Sequence, residues 1–164
     1  MTRETPLLLA TCGLYCGACY HYRASFYDHD RLLAEAARRG RNPEGFTCQG
    51  CRSGILYVHS GCAKCELRAC ADEKSILHCG LCPQFPCKRL LAFQNDGRVH
   101  HRDILVQLED LREKGEEAWL AEQAQRWSCT CGEGFSWYDE ACHSCGRPLP
   151  SYGADPTLKS RPPA

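Results

Sequence analysis

Cysteines recur in close groups along most of this chain, and their spacing restricts the fold more than any other feature. CGLYCGAC places Cys12, Cys16 and Cys19 in a C-x3-C-x2-C run. CQGC and CAKC supply Cys48, Cys51, Cys62 and Cys65, and Cys70, Cys79, Cys82 and Cys87 follow at C-x8-C-x2-C-x4-C. Cys129, Cys131, Cys142 and Cys145 end the series, for fifteen cysteines in 164 residues. That density, about 9%, belongs to scaffolds held by disulfides or metals, because a small core buries too little apolar surface to offset chain entropy.

Compartment decides between the two. The opening MTRETPLLLA offers only PLLLA as an apolar run, shorter than the core of a secretory signal, and no stretch approaches a membrane span. A cytoplasmic location follows as the expectation, with thiols kept reduced and available as ligands. The odd count and the many C-x2-C pairs point the same way, since disulfide frameworks close on even numbers. All fifteen cysteines are therefore assigned to metal.

The C-terminal group is the clearest. Cys129, Cys131, Cys142 and Cys145 flank a short aromatic segment, and a glycine follows each pair (Gly132, Gly146), as in a zinc ribbon with tetrahedral thiolate zinc. The first pair is C-x-C rather than C-x2-C, so a distorted turn is expected there. His143, inside the second pair, is expected to face solvent. Cys48, Cys51, Cys62 and Cys65 read as a second closed site, and Cys70, Cys79, Cys82 and Cys87 as a third. Cys12, Cys16 and Cys19 are left without a fourth cysteine, and interleaving of distant pairs stays open. His21, His59 and His78 are candidate fourth ligands, although a packed or surface histidine is the commoner role. On this count the cofactors are three or four zinc ions. The alternative is an iron–sulfur cluster, because three clustered thiolates plus a distant one is how many cubanes are held.

The remaining sequence predicts a small metal-stabilised α+β fold, with short helices and loops around the cysteine-rich sites plus the C-terminal ribbon. PLLLATC and GILYVHS read as short strands. HDRLLAEAARRG, ELRACADEKSIL and FPCKRLLAFQNDG read as helices, the last with Pro86 in its first turn and Gly97 past its end. Ile104, Leu105, Leu108 and Leu111, then Trp119, Leu120 and Ala124, predict two helices divided at Gly115. Four segments follow: a metal-binding domain at 8–95, a helical hairpin at 98–127, a ribbon-like module at 128–147 and a disordered tail at 148–164.

The order CGLYCGAC, CQGC, CAKCELRACADEK, CGLCPQFPCKRL resembles the bacterial and archaeal family named domain of unknown function 3795. Its members share that opening, the C-x-G-C pair, the C-x2-C-E-x-R-x-C-A segment and the aromatic-Pro-Cys turn into a helix. The resemblance implies a cysteine-rich, zinc-binding domain over about residues 8–95, with no assigned activity and an accompanying C-terminal module.

No general acid–base pair or phosphate loop stands out. The chain after Cys19 lacks the strand–helix repeats a radical enzyme needs. Charge is balanced at 20 basic and 20 acidic residues, so the basic stripe of a nucleic-acid binder is missing and a protein partner is favoured over nucleic acid. The expected function is a non-catalytic multi-zinc interaction or adaptor module, with an iron–sulfur electron carrier or redox accessory as the alternative.

Overall fold

A computed structural model describes residues 8–53 and 60–159. Its helices are α1 (Tyr20–Phe26), α2 (His29–Arg38), α3 (Ser60–Ala63), α4 (Glu66–Glu73), α5 (Lys88–Gln94), α6 (Ile104–Lys114), α7 (Glu116–Arg126) and α8 (Pro156–Lys159). The fold is helix-rich. Among the described residues the only β pairing is three isolated bridges, Leu9 with Tyr15, Ser128 with Gly134 and Ala141 with Pro148, in place of the expected strands. The reason is local for PLLLATC. Its described residues spend their backbone groups on their own loop, with Ala10 donating to the Leu14 carbonyl and the Cys16 amide donating to Leu8. Most of GILYVHS lies outside the described residues.

The 3.6-residue pattern accounts for the helical core. Ile104, Leu108 and Leu111 recur on one face of α6 and are buried with Trp119 of α7, Leu67 of α4 and Leu90 of α5. Gly115, at φ 79°, ends α6 and starts α7 at once, since its backbone lies where side chains are strained. The FPCKRLLAF segment starts its helix later than expected. Pro86 follows a cis peptide bond, Cys87 takes the N-cap position, and α5 begins at Lys88. ELRACADEKSIL likewise ends at Glu73, with Ser75 at positive φ.

Onto this core folds the opening loop. Leu9, Ala10, Cys12 and Cys16 are buried against α6 and α7, and Tyr15 meets Trp119 edge-on at 6.4 Å. Gly13 is the closest point. It sits at φ +86°, and a Cβ there would stand 2.6 Å from Leu108 Cγ and 2.9 Å from Leu108 Cδ2.

The C-terminal segment forms a second core of Trp127, Phe135, Trp137 and Leu149 around Ala18 of the opening motif. Leu149 and Tyr152, within the stretch expected as a tail, belong to it. Leu149 and Ser151 are buried, and Tyr152 packs edge-on against Trp127. The apolar side chains within that Pro/Gly/Ser-rich stretch outweigh its composition. A third cluster joins α1 to α2 through Ala24, Leu32, Ala36 and Phe46.

Two substitutions separate close packing from backbone strain. Gly13→Ala is expected to cost about 3 kcal/mol, from the left-handed backbone and the clash with Leu108 together. Gly40→Ala, also at positive φ but with no atom near its missing Cβ, should cost about 1 kcal/mol. Denaturant titration of both variants checks the difference.

Candidate metal centre

Cys129 and Cys131 lie on the turn that follows α7, and Cys142 and Cys145 on a second turn facing it. Each turn is closed by its own backbone: the Cys129 amide donates to Glu133 at 2.7 Å and the Cys142 amide to Arg147 at 2.9 Å. Gly132 (φ 93°) and Gly146 (φ 70°) supply the left-handed residues that let both chains reverse within a few positions. The four sulfurs all lie within 4.8 Å of one another. Cys129 and Cys145 are 3.7 Å apart, and Cys131 and Cys142 are 3.6 Å apart. A metal–sulfur bond of about 2.3 Å in a tetrahedron puts its sulfurs about 3.8 Å apart, so the cage already has the size of a single-ion site. A disulfide would bring a pair to about 2.05 Å, and all fifteen cysteines are free. The C-x-C pair thus reaches the same geometry as a C-x2-C pair. Among the described residues, no other set of three or more potential ligands is drawn this tight.

The protons of this group are unevenly held. The Cys131 amide, with hydrogen bonds from the other three thiols, lowers Cys129 to about 6. Cys131 receives the Glu133 amide, which lowers it, but Cys142, burial and the other two thiols raise it to about 11. A cation entering the cage takes over the stabilisation that shared protons give, and releases them. His143 stays outside, half exposed and 3.7 Å from Asp139.

The other eleven cysteines surround the opening loop and the N-termini of three helices. Cys19, Cys65 and Cys87 are the N-cap residues of α1, α4 and α5. Three C-x2-C turns share one local bond, the second cysteine's amide donating to the first one's carbonyl: Cys19 to Cys16, Cys65 to Cys62 and Cys82 to Cys79, at 3.0–3.1 Å. Amides also point at sulfur. Gly50 donates to Cys48 Sγ at 3.4 Å, the Cys51 amide to Cys16 Sγ at 3.5 Å, and the amides of Leu14 and Tyr22 lower the thiols of Cys12 and Cys19. Such bonds orient thiolate ligands and offset their charge.

These thiols also sit in one another's fields. Burial raises Cys12 and Cys16 well above the usual thiol range, Cys19 and Cys79 to about 12 and Cys62 to about 11, and neighbouring thiols add to each rise. For Cys12 these neighbours are Cys51, Cys65 and Cys79, and for Cys16 they are Cys51, Cys19 and Cys48. For Cys19 they are Cys48 and Cys62; Cys62 in turn meets Cys48, Cys51 and Cys65. Cys79 meets Cys87, Cys82, Cys70 and Cys65. A bound cation would oppose these rises at Cys12, Cys16, Cys19, Cys62 and Cys79. Cys70, Cys79, Cys82 and Cys87 all line one open cleft of about 660 Å3 beside Lys74 and Phe85.

Two of the candidate histidines lie among the described residues. His21 stacks on Tyr20 at 3.9 Å and faces Phe46. His78 is buried with Arg112 Cγ against Gly80, and the charge acting on it is that of Glu116. His59 lies outside the described residues.

Sequence reasoning passed over the groups that support the thiols. The Thr11 hydroxyl lies 3.7 Å from Cys51 Sγ, and the Thr11 carbonyl accepts from the Cys79 amide at 2.8 Å. Arg52 donates to Thr11 Oγ1, Asp72 and the Ile76 carbonyl. Ser25 Oγ accepts from the Cys48 amide at 2.8 Å, and Lys74 Nζ donates to Cys82 Sγ at 3.5 Å. The only advance signal was adjacency to cysteine, which Thr11 and Arg52 have.

Two ion pairs and a ring stack dock the C-terminal cage on the preceding chain. Arg23 meets Glu133 at 3.1 Å, Arg31 meets Asp139 at 2.8 Å, and His100 stacks on Trp137 at 4.3 Å.

Residues 8–92, just over half the chain, match the family described as protein of unknown function (DUF3795). The chain belongs to this family. The match takes in all eleven cysteines from Cys12 to Cys87 and leaves the C-terminal cage outside. Searches of curated proteins and of solved structures found no match. No helix of the described residues is long and apolar enough to cross a membrane.

Two outcomes are expected. Cys142→Ser removes one metal equivalent and exposes Trp127 and Trp137, read as a red shift in their emission, whereas His143→Ala changes neither. The second outcome concerns pH. Burial, with His101 and Arg98 close by, lowers His100 from 6.5 to about 3. The folded chain therefore resists a proton that the unfolded chain accepts. This contribution is whole above about pH 6.5 and is lost progressively as pH falls from there toward 3. His100→Gln should flatten the slope of unfolding free energy against pH between 6.5 and 5 in the metal-loaded protein.

Proposed function

We propose that this chain is a non-catalytic multi-zinc protein whose folded surface serves as an interaction or adaptor module. The observation that carries this reading is the size of the C-terminal cage. Four free thiols with sulfurs 3.6 and 3.7 Å apart suit one tetrahedral ion, whereas a polynuclear cluster spreads its thiolates over different metal atoms. The spacing supports the zinc-ribbon reading of Cys129, Cys131, Cys142 and Cys145. Four thiolates close the coordination sphere of zinc and leave no position for substrate, so the ion contributes folding energy rather than Lewis acidity.

The eleven thiols of the family domain extend the same chemistry. Their amide hydrogen bonds and nearby cations are the environment that metal-bound thiolates require. A protein partner is favoured by the balanced charge and by Phe26, Tyr27 and Leu33, which α1, α2 and the turn between them leave 44%, 66% and 43% exposed.

The reading predicts a colourless protein containing several zinc ions and no inorganic sulfide, which loses helicity when a strong chelator removes the metal. Metal and sulfide analysis of anaerobically purified protein, followed by circular dichroism during chelation, checks it. A brown sample with iron and sulfide would replace it with the iron–sulfur alternative.

A further inference from the structure

Three tetrahedral sites require twelve donors, and the family domain supplies eleven cysteines. The contiguous reading gives Cys48, Cys51, Cys62 and Cys65 one ion and leaves Cys12, Cys16 and Cys19 short of a ligand. The geometry separates both sets. Cys51 lies at the Cys12 side of the loop, with its sulfur beside the Thr11 hydroxyl. Cys48 lies at the α1 side, with its amide on Ser25. Cys12, Cys16, Cys51, Cys65, Cys79 and Cys87 pack on the α6 core, whereas Cys19, whose amide is tied to the Cys16 carbonyl, packs toward the C-terminal core.

Cys79 faces two ways. Its amide is tied to the Thr11 carbonyl, which fixes it next to Cys12, and it packs in the same core cluster as Cys12, Cys51 and Cys65. It also lines the open cleft with Cys70, Cys82 and Cys87. Cys87 shares that cluster and that cleft, but the hydrogen bond to the Thr11 carbonyl belongs to Cys79.

We propose that Cys16, Cys19, Cys48 and Cys62 hold one ion, Cys12, Cys51, Cys65 and Cys79 a second, and Cys70, Cys79, Cys82 and Cys87 a third, with Cys79 as a thiolate bridging the last two. Eleven donors then satisfy three tetrahedral ions. The opening motif has no site of its own: Cys12 goes to one ion, Cys16 and Cys19 to another. Each ion displaces the protons of its thiols, and the excess negative charge meets Lys74 at Cys82, Arg68 near Cys62 and Arg52 beside Thr11. The sulfurs stand wider apart than in the C-terminal cage, so loading draws them inward. The partition rests on the zinc reading, and the test separates failure of the two.

The full chain, isolated with its own metal, is first analysed for zinc, iron and sulfide. Iron with sulfide overturns the zinc reading itself. With zinc present, native mass spectrometry should give four ions per chain, three in the family domain and one in the C-terminal cage. Replacement by cadmium-113 should give four resonances, two of them split by coupling through a shared sulfur. Four zinc ions with no such coupling would overturn the bridge. Stoichiometry and coupling are both read on the unaltered chain, so they do not depend on a variant folding. Cys48→Ser and Cys51→Ser should then perturb different resonances. Loss of the same resonance in both would restore the contiguous site and overturn the partition.

Discussion

A loop with almost no regular structure, residues 9 to 19, is the piece on which the rest of the molecule rests. A buried loop must satisfy its own polar backbone, and this one does so with short internal bonds: Gly13 to Ala10, Ala10 to Leu14, Cys16 to Leu8 and Cys19 to Cys16. Once turned in on itself, it offers a different surface on each side. Gly13 presses against α6, Ala18 enters the C-terminal core, and its cysteines face the thiols of later segments. A bulkier or more extended opening segment would part all three bodies.

The thiols bring an electrostatic conflict that packing alone does not resolve. Burial and neighbouring thiols favour the neutral form at Cys12, Cys16, Cys19, Cys62 and Cys79. A bound cation would remove the protons and replace mutual repulsion with directional bonds. The amides of Gly50, Cys51, Leu14, Tyr22 and Cys131 already point toward sulfur, so the backbone is arranged for the charged form of the thiols. Balanced surface charge fits the same account, since the basic groups are used locally, as with Lys74 at Cys82.

Much of the helical frame was readable from periodicity. Ile104, Leu108 and Leu111 marked the α6 face, Gly115 marked its end, and His29–Arg38 formed where HDRLLAEAARRG placed it. The C-terminal cage was readable because its four ligands are near neighbours in sequence and glycines mark both turns. Long-range placement was hidden. Composition suggested a loose tail where Leu149 and Tyr152 pack, since a few apolar side chains in a polar stretch find their partners only in three dimensions. Strand-like sequence became isolated bridges because the opening segment satisfied its backbone on itself. Thiol neighbours could not be assigned by spacing, because C-x2-C fixes a turn and not the direction in which each sulfur points.

The opening motif also divides its own thiols. Its three thiols stand close in sequence and would serve together as a ready trap for the first ion to arrive. In the folded chain Cys12 keeps company with Cys51, Cys65 and Cys79, and Cys19 with Cys48 and Cys62. An ion caught early by all three would hold together two cysteines that the finished structure sends to different neighbours. The contact that sets Cys12 in place, Gly13 on Leu108, depends on a helix much further along the chain. The position of Cys12 is thus set by apolar packing on a distant helix rather than by its two near neighbours in sequence.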